Sequence, residues 1–249
     1  MSEISAASII HRTDEKEYIT GYWQKRSTGF ANLRKAELHS EKQLLWQQEN
    51  KGHLPPNRRL KILDIGCGAG FFGILLGQKH RVTGIDLTPE MIEAARALAA
   101  AERSNAKFMV MDAEALDFAD ASFDAIISRN VMWNLPHPET AYREWLRVLK
   151  PGGLLLNYDA EYARAHHSQK LPAKNAHADI APELLDECHN IYHMLEISAY
   201  NRPQWDEEFL QSTGLCSVST DTTVGSRIYA AEDIFYIPVP MFCVKAVKL

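Results

Sequence analysis

The chain has 249 residues, of which 46% are hydrophobic, 24% charged and 9% aromatic, a mixture typical of a globular domain and not of a disordered or fibrous protein. Its formal net charge of −5 argues against a general nucleic-acid binder, because phosphate binding requires clustered Lys and Arg. It has no signal-peptide pattern and no run of 18 apolar residues, so we expect no membrane segment. Four widely spaced cysteines predict neither a disulfide framework nor a paired-cysteine zinc site, and favour a reducing, cytoplasmic location.

The N-terminal part of the chain is predicted to be helical. Residues 14–51 place polar and aromatic side chains at helical spacing, which predicts two helices separated near Ser27–Gly29. The proline pair in Leu54–Pro56 ends this pattern. We therefore assign residues 1–57 to an N-terminal helical segment positioned to act as a lid.

The central part, residues 58–159, alternates short apolar runs with helical stretches. This alternation predicts repeated βαβ units, and therefore a parallel sheet covered by helices on both faces. Two of the helices begin at Pro89 and Pro138, where the missing amide proton costs nothing. The predicted strands are LKILDI, RVTGID, KFMVMD, FDAIIS and GLLLNY.

The C-terminal part first loses the strand pattern and then recovers it. Residues 160–202 are polar and rich in histidine, which predicts a helical insertion. Residues 203–249 contain a helix over about 204–213 and two further apolar runs, LCSVST and PVPMFCVKAV, that complete the sheet. The acidic run WDEE at 205–208 is predicted to be the solvated first turn of that helix.

The strongest motif is the glycine-rich run LDIGCGAGFFG at residues 63–73, which joins a strand to a helix. Glycines at such a turn let the backbone approach a ligand, and the helix N-terminus offers free amide protons. Asp86 ends the next strand, 22 residues after Asp64, where a carboxylate can accept both hydroxyls of a ribose. The spacing also fits a dinucleotide site, but Asp64 before the first glycine would repel a diphosphate and suits a ligand with an ammonium group.

DIGCGAG at residues 64–70 resembles the first motif of the class I S-adenosylmethionine-dependent methyltransferases, and in particular the small-molecule enzymes of the methyltransferase 11 type. IDLTPEMI, MVMDAEAL, FDAIISRN and RVLKPGGLLL follow in the order of the family's later motifs. The resemblance implies an α/β fold with a doubly wound, seven-stranded, mostly parallel sheet whose final strand is antiparallel. It also implies S-adenosylmethionine as cofactor. The residues implied to bind it are Asp64, Gly66, Cys67, Gly68, Gly70, Asp86, Leu87, Met91, Asp112 and Ala113.

The methyl acceptor is expected to lie among segments outside the shared motifs. Tyr18, Tyr22 and Trp23 form one stripe of a helix, which serves either as core packing or as a cover over the ligands. Arg129, Asn130 and Trp133 follow the fourth strand, at the edge where open α/β sheets bind ligands. Asn130 is expected either to contact the cofactor's methionine or the acceptor, or to form hydrogen bonds within its loop. Trp133 is expected to be either a wall of the pocket or a plug in the core. The insertion adds His166, His167 and His193 as candidate acceptor contacts.

A metal site is not predicted. His189 and His193 have the i, i+4 spacing that can share a metal, but no paired-cysteine or HExxH motif accompanies them. The alternatives for these histidines are solvent exposure, packing, or a polar role in the acceptor pocket.

These observations predict a small-molecule methyltransferase that does not bind nucleic acid. Because a sulfonium methyl is already activated, alignment of the acceptor is the main requirement and no catalytic base is assigned. Two alternatives remain: a non-catalytic protein that binds S-adenosylmethionine, for instance a regulator, and a nicotinamide-dependent oxidoreductase. The acceptor and the oligomeric state are not predicted.

Overall fold

A computed structural model describes residues 12–165, 175, 180–236 and 238–249. Within them, seven strands form one sheet in the order β3-β2-β1-β4-β5-β7-β6. The first five strands pair in parallel, and β7 runs antiparallel to both β5 and β6. This is the predicted doubly wound, mostly parallel sheet. The strands are β1 Lys61–Ile65, β2 Arg81–Asp86, β3 Lys107–Val110, β4 Phe123–Arg129, β5 Leu149–Ala160, β6 Cys216–Asp221 and β7 Met241–Lys248.

Helices cover both faces of the sheet and create two hydrophobic layers. Because side chains alternate along a strand, Leu63 and Ile126 enter one layer while Ile62 and Ile127 enter the other. The helices are α1 Arg12–Leu38, α2 Glu41–Lys51, α3 Phe71–Gly77, α4 Pro89–Ala101, α5 Pro138–Val148, α6 Tyr162–Ala165, α7 Pro182–Met194, α8 Gln204–Ser212 and α9 Val224–Ile228. The prolines of α4 and α5 occupy the first helical position, as predicted.

The predicted helix break near Ser27–Gly29 is wrong. α1 is continuous to Leu38, and the Ser27 hydroxyl donates to the Gln24 carbonyl within it. The break lies instead at Ser40, whose side chain caps α2 by accepting from the Lys42 amide at 3.2 Å. α1 packs against α3, α4 and α7, and this tertiary packing outweighs the weak helix propensity of Ser and Gly.

The acidic run at 205–208 also differs from the prediction. Asp206 is fully buried. Its two carboxylate oxygens accept from Nε and Nη2 of Arg202, each at 2.8 Å. It also accepts from the Tyr142 hydroxyl at 2.6 Å. The first turn of α8 is therefore anchored in the core on one side, because a buried cation faces it.

The topology brings distant segments to one edge of the sheet. Strand order reverses between β1 and β4, and ligands of open α/β sheets bind at such a switch point beyond the carboxyl ends of the strands. α1 and α7 also pack against each other. None of the described helices is long and apolar enough to cross a membrane.

Candidate active site

A cavity of about 710 Å³ lies at this edge, within the ~300–1,000 Å³ range of small-molecule sites. The loops after β1, β2, β3 and β4 contribute one part of its wall, and α1, α6 and α7 contribute another. The cavity therefore lies between the glycine loop and the segments predicted to surround the acceptor.

The glycine loop approaches the cavity because its backbone adopts conformations that favour glycine. Gly68 has φ +49°, and a Cβ atom there would lie 2.9 Å from Cε1 of Phe30 on α1. Gly66 has φ +59°, and a Cβ there would collide with Val131 after β4. The two glycines thus let α1 and the loop after β4 close directly onto the turn.

Asp64 is buried at the end of β1 and faces α3. Its Oδ2 accepts from the Gly73 amide at 2.9 Å. Burial raises the pKa of this carboxyl to about 7, with the Asp86 charge acting in the same direction, while the Gly73 amide and Arg129 act against it. Asp64 can therefore change its charge near neutral pH.

Asp86 ends β2 and receives one backbone donor on each oxygen. Gly68 N donates to Oδ2 and Thr88 N to Oδ1, both at 2.9 Å. Burial raises the pKa of Asp86, and these amides oppose the rise. A carboxylate offers about four acceptor positions, so each oxygen retains one for a ligand hydroxyl. This geometry fits a ribose.

Asp112 lines the cavity after β3 and is already paired with the first helix. Its Oδ2 accepts from Lys16 Nζ at 2.6 Å, and its Oδ1 from the Glu114 amide at 2.8 Å. Lys16 also pairs with Glu114 at 2.6 Å. α1 is thereby tied directly to the loop after β3, where the resemblance expects adenine. Ala113, Leu87 and Met91 line the same part of the cavity.

Arg129 lines the cavity but its charge is engaged. Its guanidinium forms two hydrogen bonds to the fully buried Glu37, at 2.9 and 3.2 Å. It also lies 4.5 Å from the Phe71 ring and 5.0 Å from the Phe72 ring. Arg129 is therefore held in place by these contacts, and it lines the cavity as part of an ion pair with Glu37.

Asn130 follows directly and has φ +59°, a conformation that is uncommon for a residue other than glycine. Its Oδ1 accepts from the Tyr162 hydroxyl of α6 at 2.9 Å. This bond joins the loop after β4 to the insertion at the cavity wall. Strained residues concentrate at functional sites, which supports a ligand-facing role for Asn130.

An aromatic cluster forms another part of the cavity wall, here called the aromatic wall. The Trp133 ring centroid lies 5.0 Å from that of Tyr192, 5.7 Å from that of Tyr162 and 6.4 Å from that of Trp23. Trp23 also contacts Tyr22 edge to face at 5.1 Å. Tyr22 is buried in the core, and both Tyr22 and Trp23 line the cavity, while the role of this stripe as a cover over ligands stays a prediction.

Of the predicted residues that the structure describes, three lie away from the cavity lining. Gly70 caps α3, where a Cβ would lie 2.9 Å from Cζ of Phe108 on β3, so its role is packing. Tyr18 is 37% exposed and accepts from the Asn190 side chain of α7. His193 is exposed because α7 buries Cys188, Ile191 and Tyr192 on another side. His166 and His167 lie outside the described residues.

Several cavity residues on α1 were missed by the sequence analysis. Arg26, Phe30 and Arg34 continue at four-residue steps from Tyr22, and all line the cavity. This i, i+4 pattern is visible in the sequence, but the predicted break at Ser27–Gly29 concealed it. Lys16 was missed because its partners, Asp112 and Glu114, are about one hundred residues away.

The comparison with known families decides what kind of domain surrounds this cavity. Residues 63–157 match the model of a family described as a methyltransferase domain. This segment is therefore similar to the methyltransferase domains of that family. The match favours the expected methyltransferase over the nicotinamide-dependent alternative.

Relatives of this chain agree with the family match. The chain is 33% identical to 2-methyl-6-phytyl-1,4-hydroquinone methyltransferase of Synechocystis sp. over 65% of its own length and 48% of the relative's. It is 40% identical to malonyl-[acyl-carrier protein] O-methyltransferase of Erwinia pyrifoliae over 47% of its length and 44% of the relative's. The chain thus spans about half the length of these relatives.

A solved structure shows that the fold extends beyond the matched segment. A SAM-dependent methyltransferase from Aquifex aeolicus superposes with a TM-score of 0.55 at 19% identity, covering 84% of this chain and 93% of that one. The shared fold therefore extends well beyond residues 63–157.

The described residues of this chain contain no cluster of three or more His, Cys, Asp or Glu side chains able to hold a metal ion. They do fit S-adenosylmethionine. The cavity presents a partly buried carboxylate with open acceptor positions at Asp86, a buried carboxylate at Asp64, and a glycine turn between them.

Proposed function

We propose that this chain transfers a methyl group from S-adenosylmethionine to a small-molecule acceptor. One observation carries the proposal: a single cavity is lined by carboxylates and a glycine turn and also by aromatic side chains from α1, α6 and α7. A pure cofactor-binding protein has no need of the second wall. Two different walls around one cavity fit two ligands that must meet.

The carboxylate wall would bind the cofactor. Asp86 would accept the ribose hydroxyls, with Asp112 and Ala113 at the adenine and Leu87 and Met91 against its faces. Asp64, Asn130 and the turn formed by Gly66, Cys67 and Gly68 would hold the methionine half. The bound cofactor supplies a methyl group on a positively charged sulfur, so the chain's own task is to orient and to exclude water.

The aromatic wall would bind the acceptor. Trp133, Tyr162 and Tyr192 enclose apolar space next to Asn130. Burial raises the pKa of Tyr162 and Tyr192 well above the usual value, so both remain neutral phenols. They can orient an acceptor through hydrogen bonds, and neither is assigned as a base. The part of the insertion at 180–195 thus contributes to the acceptor pocket through Tyr192 and its neighbours rather than through His193.

The acceptor itself does not transfer from the relatives. Their names specify a hydroquinone in one case and a malonyl group on an acyl-carrier protein in the other. Similarity to both, over about half of each, fits conservation of the cofactor-binding half with different acceptor pockets. We propose a small acceptor and no nucleic acid, in keeping with the net charge of −5. The four cysteines are buried and unpaired, which supports a cytoplasmic location.

The first test separates binding from catalysis. Calorimetry should show binding of S-adenosylhomocysteine and not of NAD, and fractionated small-molecule extracts supplied with S-adenosylmethionine should yield S-adenosylhomocysteine. Binding with no turnover in any fraction would favour the non-catalytic alternative. Tighter binding of NAD would overturn the proposal.

A variant localises the site. Asp86→Ala should weaken S-adenosylhomocysteine binding about 30- to 1,000-fold, because two charge-assisted hydrogen bonds are lost from a buried ribose. Asp117→Ala removes an exposed carboxylate outside the cavity lining and should leave affinity unchanged. Equal affinities for the two variants, both folded by circular dichroism, would contradict the assignment of Asp86.

A further inference from the structure

Two arginines share one carboxylate beside the proposed acceptor pocket. Glu37 is fully buried, and Arg129 donates to both of its oxygens. Arg34 Nη1 lies 2.7 Å from Glu37 Oε2 as well. Arg34 and Arg129 are here called the arginine pair. They carry two positive charges, and Glu37 balances only one of them.

The surplus charge lies on Arg34. The Arg129 guanidinium is enclosed by Glu37 and by the rings of Trp46, Phe71 and Phe72 at 4.5 to 5.1 Å. The Arg34 side chain is only 10% exposed, and its Nε atom is buried without a hydrogen-bond partner among the described residues. A buried guanidinium donor without an acceptor costs free energy, and native proteins retain such a group where a ligand completes it.

The charged groups around Arg34 support the assignment of the unbalanced positive charge to this residue. Burial lowers the pKa of Arg34, Glu37 opposes that effect, and Arg129 lowers the pKa further. Asp64 also faces Arg129, but burial raises the pKa of Asp64 to about 7, so it is only partly ionised at neutral pH. Arg26, two turns before Arg34 on α1, adds a cation along the same wall.

Arg34 has neighbours on both walls of the cavity, namely Phe30, which packs on the glycine turn, and Tyr162 of the aromatic wall. Its guanidinium lies 4.8 Å from the Phe30 ring centroid, and Tyr162 and Tyr229 act on its pKa electrostatically. Tyr162 belongs to the aromatic wall. The loop before β7 also reaches this cavity through Tyr236 and Pro238. A ligand anion bound to Arg34 would therefore lie beside apolar side chains of the cavity.

We infer that the arginine pair binds an anionic group of the methyl acceptor, and that the acceptor is a small carboxylic acid with an aromatic or similarly sized apolar body. This inference rests on the proposed function. A guanidinium presents its donors as a planar fork that matches a carboxylate, which a lysine cannot reproduce. The neutral amide of the same acid would leave the surplus charge without a partner.

Paired probes test the inference on the full chain saturated with S-adenosylhomocysteine. Benzoate and benzamide have the same shape and differ in charge. By saturation-transfer NMR titration, benzoate should bind at least tenfold more tightly than benzamide. Arg34→Gln should reduce that preference to less than twofold, and Arg34→Lys should leave an intermediate preference. Lys35→Gln, an exposed neighbour on the same helix, removes the same charge and should leave the preference intact.

Arg34→Gln is expected to fold, because Glu37 and Arg129 remain as a neutral pair, and its affinity for S-adenosylhomocysteine should stay within threefold of the parent. A more than tenfold loss of that affinity, with the benzoate preference unchanged, would show that Arg34 holds the cofactor's carboxylate and would overturn the inference. Equal binding of benzoate and benzamide by the parent would overturn it while leaving methyl transfer untouched. Failure of the parent to bind S-adenosylhomocysteine would instead remove the proposed function, and the inference with it.

Discussion

Asp64 shows how one buried side chain can make ligand binding depend on pH. It is held by the Gly73 amide, faces the cation of Arg129 and lies near the second carboxylate, Asp86. Burial dominates and raises its pKa to about 7. The free protein therefore loses the Asp64 proton around neutrality, whereas an ordinary aspartate would lose it near pH 4.

We expect S-adenosylhomocysteine affinity to rise with pH through this value. A ligand ammonium group binds the ionised carboxylate, so protonation of Asp64 competes with binding below the pKa and not above it. Affinity at pH 6 should be about tenfold weaker than at pH 8. Calorimetry at both values measures the ratio. Asp64→Asn should bind weakly with a flat profile, and an unchanged slope in that variant would assign the titration to another group.

The raised pKa of Asp64 affects folding stability in the opposite direction from ligand affinity. The folded-state pKa lies above the unfolded value, so the folded chain holds more protons between about pH 4 and 7. The Asp64 contribution to stability is accordingly greatest at low pH and is lost as pH rises through 7. Ligand affinity and folding thus respond to this carboxyl in opposite directions.

At the scale of the element, α1 forms one side of the cavity. Polar bridges connect it to the surrounding elements: Lys16 with Asp112, Gln24 with Glu90, and Lys25 with Glu187. The Gln24 and Lys25 bridges are exposed, and exposed ion pairs contribute little to stability. Ligand contacts can therefore add a sizeable fraction to the free energy that holds α1 in place.

Cofactor binding should slow hydrogen exchange along α1. We expect amides of residues 15–34 to exchange at least several-fold more slowly with saturating S-adenosylhomocysteine, because Phe30 packs on the glycine turn and Lys16 on Asp112. Mass spectrometry of peptic peptides measures this. Residues 204–212 of α8 serve as the control, since none of them lines the cavity. Identical exchange along α1 with and without ligand would limit the helix to a packing role.

At the scale of the whole molecule, a buried ion cluster joins the ends of the chain's central and C-terminal parts. Arg202 donates to Asp159 at the end of β5 and to Asp206 at the start of α8, each at 2.8 Å. Asp159 also accepts from the Trp133 amide at 3.2 Å. The insertion is thereby anchored where it returns to the sheet, and the aromatic wall is fixed through Trp133.

Removing the cation should destabilise the whole fold. Arg202→Met leaves two buried carboxylates facing each other, which costs about 3–5 kcal/mol in comparable sites. Urea denaturation measures the loss in the free energy of unfolding. Arg58→Met breaks an exposed pair with Asp124 and should cost less than about 1 kcal/mol. A loss below 1 kcal/mol for Arg202→Met would contradict a structural role for the cluster.

The sequence was sufficient for the features that each segment specifies alone. Near-continuous apolar runs predicted the strands, and Pro89 and Pro138 predicted two helix starts. The glycine turn, Asp86 and Asp112 predicted which strand ends would meet. These signals are local in the chain: a strand buried on both faces must be apolar along its length, and a tight turn needs glycine wherever it lies.

Tertiary structure decided the features that depend on residues far apart in the chain. Packing kept α1 continuous through Ser27–Gly29 and so brought Arg34 to the cavity. Glu37 and Arg129 are 92 residues apart, and Arg202 and Asp159 are 43 apart. Whether a charge is solvated or buried depends on which partner the fold brings to it, and burial then sets its pKa and its availability to a ligand. The sequence by itself therefore determined the α/β core and the carboxylates and glycine turn that line the cavity, whereas the aromatic wall and the unbalanced positive charge beside it followed only from long-range packing.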